Sequence, residues 1–110
     1  MKLAIIGSRN IQDFDLSNVV PGNVSTIISG GASGVDSLAR TFANKRCLEL
    51  IEFLPEYNKY GRSAPILRNK LIVNAADSIL AIWDGKSKGT AFTIEYARKL
   101  NKPVTIIRSL

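Results

Sequence analysis

The chain contains no histidine and a single cysteine, Cys47. A lone thiol cannot close an intramolecular disulfide, and without histidine or a second cysteine no zinc-type cluster can be assembled. Because Cys47 opens an apolar run, it reads as a small core residue. Long apolar runs are missing as well: none reaches the roughly eighteen residues that a membrane span requires. Met1-Lys2-Leu3 leads directly into a strand-like segment, with no charged region, apolar core and cleavage site in sequence. The expectation is a soluble, cytoplasmic protein with no membrane partner, no metal and no cofactor.

Acidic residues are in the minority. Fifteen Lys and Arg stand against nine Asp and Glu, a formal charge of +6, which favours association with phosphates, from small nucleotides up to nucleic acid. The basic residues are spread along the chain and never form a run, which excludes a disordered basic tail. With 110 residues, 45% of them hydrophobic, the chain has the composition of one globular domain, residues 1–110, able to bury about 60 to 70% of its unfolded surface.

Five short apolar segments read as strands: Leu3 to Ile6, Val24 to Ser29, Leu48 to Phe53, Ser78 to Trp83 and Val104 to Ile107. Most are near-continuous apolar runs, the pattern of strands covered on both faces of a parallel sheet. Helix signals lie between them. Val35, Leu38, Ala39, Phe42 and Ala43 form one apolar helical stripe. Pro65 stands where a first turn begins, and Ile66 to Ala76 carries no breaker. Thr90 is placed to cap a further helix, in which Ile94, Ala97 and Leu100 keep one side apolar, Arg98, Lys99 and Lys102 suit the C-terminal end, and Pro103 stops it. Asp13 to Val20 is a short helix or a turn. Alternating strands and helices predict a three-layer α/β sandwich around a five-stranded parallel sheet, with Ile5, Ile28, Ile82 and Ile106 buried.

In such sheets ligands bind at the carboxyl ends of the strands. The segments found there are Gly7-Ser8-Arg9, then Ser29-Gly30-Gly31-Ala32-Ser33-Gly34-Val35-Asp36, then Pro55-Glu56-Tyr57 on the approach to Arg68-Asn69, then Asp84-Gly85-Lys86-Ser87-Lys88-Gly89-Thr90. Glycines let a backbone turn sharply and approach a ligand, while free N–H groups at a helix start favour an anion. Ser8, Ser29 and Ser33 add hydroxyls, and Arg9, Arg68, Lys86 and Lys88 can supply charge. The spacing GGxxG is not the dinucleotide fingerprint GxGxxG and lacks the Lys-Ser/Thr of a P-loop, so the turn reads either as an anion cradle or as a tight connection. Asp36 is placed equally well to cap its helix or to touch a ligand. Trp83 reads as core, Tyr57 and Tyr60 as stacking candidates, Glu95 as solvated surface. Arg68, on the first turns of a helix facing that edge, is well placed for phosphate or carboxylate.

Taken in order, IIGSRN, IISGGASGVDSLA and FLPEYNKYGRSAPILRNKLIVNAADSILAIWDGKSKGT resemble the SLOG superfamily of Rossmann-like proteins, most closely its small YspA-like branch of bacterial and phage proteins. The resemblance covers nearly the whole chain and rests on GSR, SGGxxGxD, the RN pair, AAD and DGxxxGT in sequence. It implies a sheet ordered 3-2-1-4-5 and a nucleotide or nucleotide-derived ligand, such as an ADP-ribose-like signal. That ligand would sit over Gly7, Ser8, Arg9, Ser29, Gly30, Gly31, Ser33, Gly34, Asp36, Arg68, Asn69, Asp84, Gly85, Gly89 and Thr90, its phosphate held by the SGGASGVD and DGKSKGT loops. Two relatives imply alternatives. LOG-type phosphoribohydrolases cleave the base from nucleoside monophosphates with an arginine that Arg68 matches and a PGGxGTxxE signature that Gly89-Thr90 match in part. The signature's glutamate is missing here: Ala91, Phe92, Thr93 and Ile94 follow Thr90, Glu95 falls at the wrong spacing, and no catalytic residue is assigned, although Asp36 or Asp84 could substitute. DNA-processing protein A is similar in GSR, SGGAxGxD and RN and binds single-stranded DNA, so single-stranded nucleic acid is an alternative partner. Relatives often pair through their helices, which admits a homodimer.

Overall fold

The computed structural model describes residues 1–109. Its five strands, β1 (Lys2–Gly7), β2 (Thr26–Ser29), β3 (Glu49–Glu52), β4 (Ser78–Trp83) and β5 (Val104–Arg108), form one all-parallel sheet in the order β3-β2-β1-β4-β5. Side chains alternate across a strand, so β1 feeds two cores. Leu3 and Ile5 join Ile27, Leu80 and Ile82 on one face, whereas Ala4 and Ile6 join Ile28, Ile79 and Ala81 on the other. Helix α1 (Val35–Lys45) covers the first face through Val35, Ala39, Phe42 and Ala43. The second face is covered by α3 (Ala64–Ala75), through Ile72 and Val73, and by α4 (Lys88–Lys99), through Ile94 and Ala97. The result is a Rossmann-like three-layer α/β sandwich. Before α3, the chain makes a single helical turn, α2 (Tyr57–Tyr60). Asp13 to Val20 supplies only a 3-10 turn at Leu16–Asn18.

Four sequence readings need correction. Cys47 is exposed, with φ +55°. It occupies the left-handed position just past α1: its N–H donates to the Asn44 carbonyl at 3.3 Å, and the Leu48 N–H reaches back to Ala43 at 2.9 Å, the hydrogen-bond pair that closes many helix ends. The apolar run thus begins one residue later. Thr90 does not cap α4, because Ser87 takes the extended cap position and Thr90 lies one turn inside. Leu100 is exposed at the helix end. Ile106 is only half-buried, unlike Ile5, Ile28 and Ile82, because β5 is an edge strand with β4 as its one neighbour.

From β1 the chain adds β2 and β3 toward one edge of the sheet and then β4 and β5 toward the other, so strand order reverses between β1 and β4. The carboxyl ends of these two strands are tied together. Ser8 N–H donates to Ile82 O at 3.1 Å, and Ser8 Oγ accepts from Asp84 N–H at 3.1 Å. That seam is the topological position where α/β folds bind ligands.

Candidate functional site

A cleft of about 410 Å³ opens beside the seam. Ile6 and Ile72 form its apolar floor. Its walls come from the β1 loop (Gly7, Ser8, Arg9, Asn10), the start of α1 (Ala32, Asp36), α3 (Pro65, Arg68, Asn69) and the first turns of α4 (Ser87, Gly89, Thr90, Thr93). A second hollow of about 290 Å³ adjoins it, lined by Gly30, Gly31, Ser33, Leu54, Pro55 and Tyr57. Arg9, Ala32 and Arg68 line both and form the shared wall.

Arg68 is buried, at 6% exposure. It projects from the face of α3 that carries Ala64 and Ile72, one turn away on either side, and therefore points at the sheet edge instead of solvent. Its Nη1 donates to the Gly30 carbonyl at 2.7 Å and, more weakly, to Phe53 O at 3.4 Å, while Nε donates to Asn69 Oδ1 at 2.8 Å. Nη2 makes no hydrogen bond among the described residues. Burial pushes the guanidinium's pKa down, the Asp36 carboxylate partly restores it, and the nearby Arg9 opposes that again. The group stays charged.

The glycine-rich turn holds an anion of its own. Asp36 Oδ2 accepts from the Ala32 N–H at 3.1 Å, so the carboxylate folds back into the turn and neutralises the start of α1. Burial raises the Asp36 carboxyl above its ordinary value, against the pull of the Ala32 amide, Ser29, Arg68 and the Gly30 amide. Ser29 Oγ is buried with no partner at hydrogen-bond distance, yet it lies near enough to favour the charged carboxylate. Gly30 is glycine because this cluster fills its side-chain space: a Cβ there would lie 2.5 Å from Arg68 Nη1 and 2.9 Å from Asp36 Oδ2. Gly34, at φ +73°, lies directly against the Arg9 backbone, and a Cβ would collide with its carbonyl. The turn and the GSR loop are thereby locked together, with Val35 N–H donating to Ser8 O at 3.3 Å.

The start of α4 is different. Its first turn carries no acidic residue. The amides of Lys88, Gly89 and Thr90 have no intrahelical acceptor and none elsewhere among the described residues. Apart from its chain neighbours and the backbone of its own helix, nothing lies within 4 Å of where a Gly89 Cβ would stand.

Of the residues picked from sequence, Gly7, Ser8, Arg9, Asp36, Arg68, Asn69, Gly89 and Thr90 line the cleft, and Gly30, Gly31 and Ser33 line the adjoining hollow. Ser29 and Gly34 are buried beneath the turn. Asp84 and Gly85 line neither space. Asp84 organises its own loop: Oδ1 accepts from the Lys86 and Ser87 amides, both at 2.8 Å, and these contacts hold its carboxyl below the usual range. Gly85 packs beneath Arg108. Lys86 and Lys88 also lie outside both spaces. Sequence reasoning missed Asn10, which adjoins GSR, and Thr93, which lies three residues beyond Thr90; Ala32 and Ser87 fall inside the two recognised loops but were not singled out there.

No family model matches the chain, and no curated protein or solved structure matches it either.

Proposed function

We propose that this Rossmann-like domain is a SLOG-like nucleotide binder, which takes a nucleotide or nucleotide-derived ligand at the carboxyl edge of its sheet and acts in the cytoplasm, where such ligands are held. One observation carries this reading. At the wall shared by the two hollows, the guanidinium groups of Arg9 and Arg68 lie near each other, Asp36 is the single carboxylate lining either space, and Arg9 has no hydrogen-bond or ion-pair partner among the described residues. An uncompensated guanidinium fork beside a concave surface matches phosphate. The amides at the start of α4, where Gly89 and Thr90 line the same cleft, favour the same kind of group. In this reading the phosphate rests against the DGKSKGT loop and the arginines, while the SGGASGVD turn is filled by Asp36 and serves to hold Arg68 and Arg9 in place.

Calorimetric titration with AMP and ADP tests the proposal. Binding of either to the wild type, weakened by Arg9→Ala, is the expected result; no binding of either overturns it. A phosphoribohydrolase remains the second reading, favoured by the one carboxylate that lines the cleft, Asp36, whose raised pKa suits proton transfer. Release of free adenine from AMP by the wild type, lost in Asp36→Asn, would establish it.

A further inference from the structure

The smaller hollow carries what the cleft lacks, an aromatic side chain. Two of the most exposed apolar side chains in the domain stand at its mouth, Leu54 at 63% exposure and Tyr57 at 55%. Pro55 lies between them, and the turn's Gly30 and Gly31 supply the opposite wall. Gly31 is part of how the hollow is built: a Cβ there would lie 2.5 Å from Leu54 Cδ2, so its absence lets the leucine close over the turn. No carboxylate lines the space; Asp36, behind Gly30, accepts from the Ala32 amide, and Glu52, near Gly31, is paired with Arg40 at 2.9 Å. The hollow therefore combines the apolar and aromatic side chains of Leu54, Pro55 and Tyr57 with a polar surface from Ser33, the glycine backbone and the two arginines.

We propose that this hollow seats the base of the nucleotide, with its ring against Tyr57 and Leu54, while the sugar and phosphate pass over Arg9 and Arg68 into the larger cleft. The inference rests on the nucleotide-binding reading and adds where the base lies and which side chain holds it. An aromatic ring with polar edges, joined to an anion, is the ligand whose two halves match a hollow with an aromatic wall and polar groups and a contiguous cleft with arginines. Tyr57 and Arg68 line the same hollow, which places the aromatic platform beside the phosphate-side wall. The other aromatic candidates are otherwise engaged. Lys59 lies over the Tyr60 ring at 5.1 Å, and Trp83 donates its indole N–H to Ser87 O at 3.1 Å under the Arg108 guanidinium. Neither lines the hollow.

The test compares AMP with ribose 5-phosphate, which has the same sugar and phosphate but no base, in the wild type, Tyr57→Ala and Tyr57→Phe. Base–aromatic stacking predicts that wild type binds AMP about five- to a hundredfold more tightly than ribose 5-phosphate. Tyr57→Ala should erase most of that ratio without changing ribose 5-phosphate affinity, and Tyr57→Phe, which retains the ring, should preserve it. Since Tyr57 is exposed, loss of fold is not expected, and matching melting curves check this. If AMP and ribose 5-phosphate bind the wild type equally, or if Tyr57→Ala leaves their ratio unchanged, the base seat is overturned while phosphate binding stands. If neither binds, both readings fall together.

Discussion

Arg68 and Gly30 meet across 38 residues of sequence, the guanidinium Nη1 donating to the glycine carbonyl at 2.7 Å. The contact joins the third helix to the end of the second strand. It turns what looks like a ligand-binding arginine into one that also holds the fold at the cleft. Gly30→Ala should therefore destabilise the domain by about 1–3 kcal/mol, the range for overpacking a filled site. The added methyl would meet a buried, hydrogen-bonded guanidinium instead of a mobile chain end. Urea unfolding should show a lower midpoint at unchanged slope. An unchanged midpoint would mean that Arg68 can withdraw without cost.

The parallel sheet was legible because its strands are apolar on both faces. Their lateral order came from the family resemblance, since periodicity within a strand says nothing about its neighbours. Arg68 was legible as a cleft residue, but its burial was not: an arginine on a helix reads as solvated, and its partners Gly30 and Phe53 lie far away in sequence. Asp36 stayed ambiguous for the same reason, because its contact with Ala32 depends on how the turn folds back. Ser87 and Thr90, two hydroxyls three residues apart, are equivalent caps by composition, and only the backbone chooses between them. Gly31 is one glycine among three in its turn, and composition does not say which of them the backbone requires. Its φ of +70° and its contact with Leu54 mean that Gly31→Val would strain the turn itself.

Gly89 is the converse case. It lies inside the first turn of α4 with no positive φ and open space where a Cβ would go. Gly89→Ala should raise stability by up to about 0.5–1 kcal/mol, through reduced freedom of the unfolded chain. It should also weaken AMP binding several-fold, because the methyl would crowd the cleft above the free amides. A thermal melt and a titration on one sample separate the two effects; tighter binding by the variant would remove the start of α4 from the site.

Asp36 makes a pH prediction whose sign follows from burial. Its carboxyl is raised above 3.8 in the folded chain, so between that value and its raised value the folded state carries more proton than the unfolded state. Stability from this group is then greatest at low pH and falls as pH rises through the window, levelling off above it. The stability difference between wild type and Asp36→Asn should accordingly shift against the wild type as pH rises from about 4 toward neutral. A difference that moves in the wild type's favour would show that Arg68 and the turn amides outweigh desolvation.

Arg9 and Arg68 should separate binding from folding. Arg68→Ala leaves the Gly30 and Phe53 carbonyls without their donor and the Asp36 carboxylate without its neighbouring positive charge, and charge-assisted hydrogen bonds of this kind contribute about 1.5–3 kcal/mol, so the variant should melt earlier and bind AMP poorly for two reasons at once. Arg9 is exposed, with no side-chain partner among the described residues, and its backbone alone supports the Gly34 turn. Arg9→Ala should leave the melting temperature unchanged and weaken AMP binding roughly ten- to a hundredfold, the effect of losing one charge-assisted phosphate contact. Raising salt should narrow the gap between wild type and Arg9→Ala, since an exposed charge is screened. Should Arg9→Ala bind AMP as tightly as the wild type, the phosphate does not lie at the shared wall, and the free amides at the start of α4 become the place to look for it.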